Sequence, residues 1–147
     1  MPKKRVRHAV ARPDPGDERA TLRLVWMRTD YLRMCWTEAA EDANNAVGAE
    51  HATDLESGYG LPIWVLVTMH LASLYTVVEG WRWLKRSSPA VDRVLADTTK
   101  LDRLENLRHG TFHFGAVNSP YVIDVLSDTA MLSWARDLHE AFRASFQ

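Results

Sequence analysis

Residues 61–86, LPIWVLVTMHLASLYTVVEGWRWLKR, are the stretch that decides the fold. Apolar side chains recur along it at three- and four-residue steps, and most of the remaining positions are apolar as well. A helix that is apolar on nearly every face is a buried helix, and Pro62 is tolerated in its first turn. We therefore expect a central helix whose main stripe comprises Trp64, Val67, Leu71, Leu74, Val78 and Trp81.

The same stretch raises a membrane-spanning alternative. No formally charged residue lies between positions 57 and 78, which is nearly the length of a spanning helix. Five residues that suit a lipid-facing segment poorly interrupt it, namely Pro62, Thr68, His70, Ser73 and Thr76. A core helix explains the pattern better, and we expect no membrane contact.

Helical periodicity continues on both sides of this segment, and no strand pattern of any length is present. The predicted helices cover residues 17–47, 61–86, 89–96, 98–113 and 119–145, the last as one uninterrupted helix. Ser88 before Pro89 suits an N-cap, and Asp97 or Thr98 caps the helix that follows. Short links between the main helices predict an all-α, antiparallel four- to five-helix bundle.

Length and composition set the class of protein. The chain has 147 residues, of which 46% are hydrophobic and 25% charged, as in one globular domain. The net charge of -1 does not by itself call for a nucleic-acid partner. A single cysteine, Cys35, excludes an internal disulfide and a cysteine-based zinc cluster.

The N-terminus differs from the rest of the chain. Five basic residues and no acid occupy the first dozen positions: Lys3, Lys4, Arg5, Arg7 and Arg12. We expect residues 1–16 to form a basic flexible arm and residues 17–147 a single helical domain. The arm is either a solvated terminus or a contact for a polyanion such as RNA. No apolar run follows it, so we expect no secretory signal and a cytoplasmic protein.

The most informative short segment is residues 107–114, LRHGTFHF. Arg108 follows Leu104 by four residues, so its guanidinium begins beside the inward face and needs a partner. Three acids could supply it, namely Glu79, Asp102 and Glu105. His109 and His113 are four residues apart and share a helix face. An arginine fork with two imidazoles can hold a phosphate and move protons around it.

Arg108-x-x-x-x-His113, late in a helical chain and with a polar residue after the arginine, resembles the signature of the HEPN superfamily. Residues 79–84, with Glu79 and Gly80 before an aromatic residue, together with residues 107–114 also resemble a group of uncharacterised bacterial helical proteins. HEPN proteins are small helical bundles. Many are metal-independent endoribonucleases of toxin–antitoxin and phage-defence systems that dimerise across a shared cleft.

The resemblance implies a role for each matching residue. Arg108 would clamp the scissile phosphate and His113 would be the general acid or base. His109 would be an auxiliary phosphate contact. Independently of the resemblance, Glu79 lies in an apolar neighbourhood, and we expect it to orient Arg108 or a histidine rather than to form a surface pair with Arg82. The resemblance further implies a homodimer, with RNA and an antitoxin-like protein as partners and no cofactor or metal. Trp81 and Trp83 are expected in the core and the dimer interface.

Two alternatives stay open. The same residues could serve structure in a non-catalytic module that binds a small ligand, a nucleotide or a protein. Glu105, His109 and His113 are spaced by four and could instead form a ridge of metal ligands, although this spacing is not that of the zinc proteases.

Overall fold

The computed structural model describes residues 15–54, 58–112 and 120–147. Within these ranges the chain is all-helical and has no strand, which confirms the all-α part of the predicted fold class. The six helices are α1 (Pro15–Val47), α2 (Gly60–Trp83), α3 (Pro89–Leu95), α4 (Thr98–Phe112), α5 (Pro120–Ser127) and α6 (Thr129–Phe146). Most of the predicted arm, residues 1–14, lies outside the described residues.

Helix α2 is the centre of the packing, as its sequence predicts. It contacts α1 along one side and α4 along another. Leu74, Val77 and Val78 have no exposed surface, and Trp81 is buried. By length and composition α2 also qualifies as a membrane span, but half of that apolar window is buried inside the protein. Burial against its neighbours accounts for the apolar character of that half, whereas Leu61 and Val65 are exposed.

An aromatic cluster joins three helices at one end of the core. Trp26 of α1 stacks on Phe146 of α6, with ring centroids 5.4 Å apart and an interplanar angle of 11°. Trp81 of α2 meets Phe142 edge-on at 5.3 Å and Phe146 at 5.8 Å. Such edge-to-face and offset contacts add specificity to apolar burial. Trp81 is therefore core, as expected, whereas Trp83 is exposed.

The approach of α1 to α2 depends on a glycine. A Cβ atom at Gly80 would lie 2.7 Å from Cδ1 of Leu22, a buried residue of α1. The glycine thus admits the α1 side chain against the α2 backbone. This gives a packing reason for the Glu79–Gly80 segment that the sequence singled out.

The predicted single C-terminal helix is wrong. The chain breaks at Asp128, whose backbone is extended with φ -95° and ψ 102°. Its carboxylate accepts hydrogen bonds from the amides of Ala130 and Met131, so it is the N-cap of α6. Arg103 of α4 holds the break through Asp128 at 2.6 Å and Asp124 at 2.8 Å.

The other predicted caps are placed as expected. Asp97 accepts a hydrogen bond from the Lys100 amide at 3.1 Å, which selects Asp97 over Thr98 as the α4 cap. Ser88 occupies the N-cap of α3 ahead of Pro89, but its hydroxyl makes no cap hydrogen bond. It accepts instead from the Ser145 hydroxyl of α6.

Two leucines of α2 test which surface stabilises the fold. Leu74→Ala should lower the free energy of unfolding by about 2–5 kcal/mol, because it leaves a cavity at the centre of the core. Leu61→Ala should change it by less than about 1 kcal/mol, because Leu61 is 61% exposed. Urea unfolding followed by circular dichroism measures both. Equal losses would show that α2 is not central.

Candidate functional site

An ion pair joins α2 to α4 at the predicted motif. Nη2 of Arg108 lies 3.2 Å from Oε2 of Glu79. The Arg108 side chain is 29% exposed and that of Glu79 is 43% exposed, so the pair lies at the rim of the core. Of the three acids that the sequence offered to Arg108, the structure pairs it with Glu79. The pair orients a guanidinium that remains accessible to solvent.

A second polar contact lies beside this pair and explains the choice of partner. The Tyr75 side chain of α2 lies beside the Glu105 carboxylate of α4. Burial and the neighbouring Glu105 raise the pKa of Tyr75 well above its usual value. Tyr75 and Glu79 are one turn apart on α2, and Glu105 and Arg108 are about one turn apart on α4. Glu105 therefore lies next to Tyr75, and Glu79 pairs with Arg108.

The inner part of the Arg108 side chain has an unusual environment. Its Nε is buried and has no hydrogen-bond partner among the described residues. A buried donor without a partner costs about 1–3 kcal/mol, so such groups are uncommon in folded proteins. Glu79 thus pairs with the outer Nη2 of Arg108, whereas the inner Nε has no hydrogen-bond partner among the described residues.

Of the two histidines of the motif, His109 lies within the described residues. His109 is exposed, and its Nδ1 donates to the Glu105 carbonyl at 3.1 Å. Helix α4 continues through the buried Gly110 to Phe112, so the glycine does not end it. His113 lies outside the described residues. Among the residues that are described, no three His, Cys, Asp or Glu side chains are grouped to hold a metal ion.

An apolar groove opens next to the end of α4. Its volume is about 800 Å³, and α2, α4 and α5 contribute its walls. The apolar lining includes Leu61, Trp64, Val65, Met69, Val122, Ile123 and Leu126. Its polar lining comes from the hydroxyls of Thr68, Thr111 and Ser127, and no charged residue of the described chain lines it. The sequence patterns indicated core at several of these positions but no groove.

A polar network around a buried histidine, on the opposite side of α2, was missed by sequence reasoning; its Asp30 and Arg143 side chains are partly exposed. His139 of α6 is fully buried, and its Nε2 donates to Oδ1 of Asp30 in α1 at 3.0 Å. Arg143 donates to the same carboxylate oxygen at 2.8 Å. Burial alone would raise the pKa of Asp30, but hydrogen bonds from Arg143 and His139 outweigh it and hold the pKa below its usual value.

His70 extends this network to the central helix. Its Nδ1 donates to the Thr29 carbonyl at 3.1 Å, and its ring lies 5.2 Å from that of His139. The Thr29 hydroxyl in turn donates to Ser73 at 3.0 Å. Burial first, and then the neighbouring His139, lower the pKa of His70 to about 4. This placement gives His70 a structural role between α1 and α2.

The Asp30–His139 pair has no accessible reaction site. His139 has no exposed surface, and its Nδ1 has no hydrogen-bond partner among the described residues. A substrate arriving from solvent therefore cannot reach the imidazole. Within the described part of the chain, the Arg108–Glu79 rim and the apolar groove are accessible candidate sites.

No protein-family model, curated protein or solved structure matches the chain.

The buried histidines predict how stability depends on pH. His70 takes up a proton near pH 6.5 when unfolded but only near pH 4 when folded, so acid favours the unfolded chain across that window. The stabilisation is complete above pH 6.5, and about 3 kcal/mol of it is lost by pH 4. Burial lowers the pKa of His139 in the same direction.

Urea unfolding between pH 7 and pH 4 measures this loss. His70→Asn keeps an N–H for the Thr29 carbonyl but does not titrate, so its pH dependence should be shallower by about 3 kcal/mol. A wild-type curve that is flat across this range would contradict the placement of His70.

Proposed function

We propose that this protein is a HEPN-like antiparallel helical bundle that binds RNA and cleaves it without a metal ion. The observation that carries the proposal is the Arg108–Glu79 ion pair. It holds an accessible guanidinium near the end of α4, five residues before His113 in the sequence. A planar guanidinium that is already oriented suits the oxygens of a phosphodiester.

In the proposed cleavage reaction, Arg108 and His113 each have one role. Arg108 binds the non-bridging oxygens of the scissile phosphate and stabilises the charge that develops there. The ribose 2′-oxygen attacks phosphorus, the bond to the 5′-oxygen breaks, and a 2′,3′-cyclic phosphate remains. His113 takes the proton from the 2′-hydroxyl or gives one to the leaving oxygen, as a group that titrates near neutral pH can do.

The neighbouring residues support this arrangement. Glu79 fixes the orientation of Arg108, and the exposed His109 adds a phosphate contact one residue further on. The five basic residues of the arm supply salt-dependent affinity for the RNA backbone. The proposal includes a bacterial cytoplasmic setting, a homodimer and an antitoxin-like protein partner, as the motif resemblance implies.

Cleavage of a mixed-sequence fluorogenic RNA in EDTA tests the proposal. Arg108→Lys and His113→Ala should each lower the rate by about 100-fold or more, because one loses the fork and the other the proton transfer. Glu79→Gln should lower it by about tenfold through loss of orientation. Arg136→Lys and His51→Ala, both exposed, are matched controls that should retain the wild-type rate.

The products and the folding of each variant complete the test. Wild-type cleavage should leave 2′,3′-cyclic phosphate ends, and circular dichroism should show every variant folded. Equal cleavage by wild type and His113→Ala would identify a contaminating nuclease. Cleavage that requires a divalent ion would overturn the mechanism.

The apolar groove favours a second candidate function, binding of a neutral apolar small molecule. Its volume of about 800 Å³ lies within the range of small-molecule sites, and its described lining carries hydroxyls but no charge. This corresponds to the non-catalytic module that the sequence left open. The groove is separate from the Arg108–Glu79 pair, neither of which lines it.

Nile red, a neutral apolar dye, is a suitable probe of the groove. Ile123→Glu should weaken dye binding by about tenfold, because it places a charge in an apolar site at a residue that is 74% exposed and tolerant of change. Trp83→Glu removes an exposed apolar residue elsewhere and should leave binding unchanged. Equal effects of the two variants would mean that the groove is not the binding site.

A further inference from the structure

A basic pocket lies between the start of α1, the turn that follows α2 and the end of α6. Its volume is about 490 Å³. Three arginines and part of the C-terminal segment line it, namely Arg19, Arg23, Arg86, Ser145, Phe146 and Gln147. No acidic side chain of the described residues lines it. The pocket shares no lining residue with the apolar groove, and the Arg108–Glu79 pair lies outside it.

Helix α1 supplies two of these arginines without an acid to neutralise them. Arg19 and Arg23 are four residues apart, so they lie on the same helix face and repel each other. The positions three and four residues from either arginine hold no aspartate or glutamate. Asp17 and Glu18 lie one and two residues from Arg19, where side chains do not face one another. Neither arginine forms an ion pair with a described residue.

The nearest acids of the neighbouring segments have partners of their own. These contacts join Glu79 to Arg108, Asp92 to Ser87, and both Asp30 and Glu140 to Arg143. The α-carboxylate of Gln147 is the one negative group of the described lining, and it forms no ion pair with the three arginines. The lining is therefore net positive.

The third arginine is held in place by aromatic rings. Cζ of Arg86 lies 4.7 Å from the ring centroid of Trp81 and 5.5 Å from that of Phe146. The chain reaches this position through Lys85, whose φ of 49° lies in the left-handed region that favours glycine. A cation–π contact attracts the charge but supplies no acceptor oxygen. The side-chain N–H donors of Arg86 therefore have no acceptor among the described residues.

We propose that the basic pocket binds the phosphomonoester or diphosphate group of a small molecule. The forked donors of a guanidinium match phosphate oxygens, and three guanidiniums reach several oxygens at once. A phosphodiester carries a single charge, whereas a monoester or diphosphate carries more and suits a net positive lining better. The volume lies within the range of small-molecule sites. The inference rests on this lining and its charges and does not depend on RNA cleavage.

Isothermal titration calorimetry of the full chain with sodium pyrophosphate tests the site. Wild type should bind one pyrophosphate per chain with a Kd below about 1 mM. Arg23→Gln and Arg86→Gln should each raise the Kd by about tenfold, because each removes a charge-assisted hydrogen bond to the ligand. Arg93→Gln removes the same charge from an exposed arginine of α3 outside the pocket, and it should leave the Kd unchanged. Circular dichroism should show every variant folded.

A conservative change separates the fork from the charge. Arg86→Lys keeps the positive charge but loses the planar fork, so it should raise the Kd by about fivefold.

A competition experiment separates a small molecule from a nucleic-acid backbone. An oligonucleotide with a 5′-hydroxyl and only 2′-deoxy residues carries phosphodiesters alone and cannot be cleaved through a 2′-oxygen. It should not displace pyrophosphate from the pocket.

Four outcomes would overturn the proposal. A wild-type Kd above about 1 mM would mean that the pocket is no better than a charged surface. An unchanged Kd in Arg23→Gln and Arg86→Gln would place the binding elsewhere. An equal loss in Arg93→Gln would assign the binding to net charge. Displacement of pyrophosphate by the oligonucleotide would assign the three arginines to a nucleic-acid backbone instead.

Discussion

The apolar surface of α2 needs cover from neighbouring helices, and the rest of the structure depends on this requirement, which is met over half of the apolar window. Helix α1 and helix α4 flank it, and Phe142 of α6 closes the core against Trp81. The few polar side chains of α2 then have to find partners in these neighbours, because a buried polar group without one is costly. His70 and Ser73 meet Thr29 of α1, whereas Tyr75 meets α4.

The same requirement separates the two polar clusters by their access to solvent. On the α1 side, Asp30, His139 and Arg143 form a network around one carboxylate oxygen, and His139 is fully buried. A network of this kind specifies how α1 and α6 dock, even though Nδ1 of His139 has no hydrogen-bond partner among the described residues. On the α4 side, Glu79 and Arg108 lie at the rim, where a ligand can compete for the guanidinium. The proposed function therefore places the chemistry at the rim.

Sequence patterns within one helix predict the features that depend on contacts of neighbouring residues along that helix. The apolar stripes of α2 and α4, the caps at Ser88 and Asp97 and a partner for Arg108 all follow from spacing along one helix or from the cost of a buried charge. The break at Asp128 was missed because apolar periodicity resumes after it, and Arg103, which holds it, is 25 residues away. The Asp30–His139 contact spans 109 residues, so no local signal contains it. The sequence signal for this contact was the presence of three polar residues, Asp30, His139 and Arg143, on otherwise apolar helix faces.

The orientation of Arg108 toward a phosphate is the central claim, and nuclear magnetic resonance tests it most directly. An RNA oligonucleotide with a 2′-deoxy residue at each cleavable position binds but cannot react. Titrating it into labelled protein should shift the Arg108 guanidinium and the imidazoles of His109 and His113 most strongly. Added salt should weaken these shifts. Shifts confined to the methyl groups of Met69 and Leu126 in the groove, or none at the three motif side chains, would contradict the account.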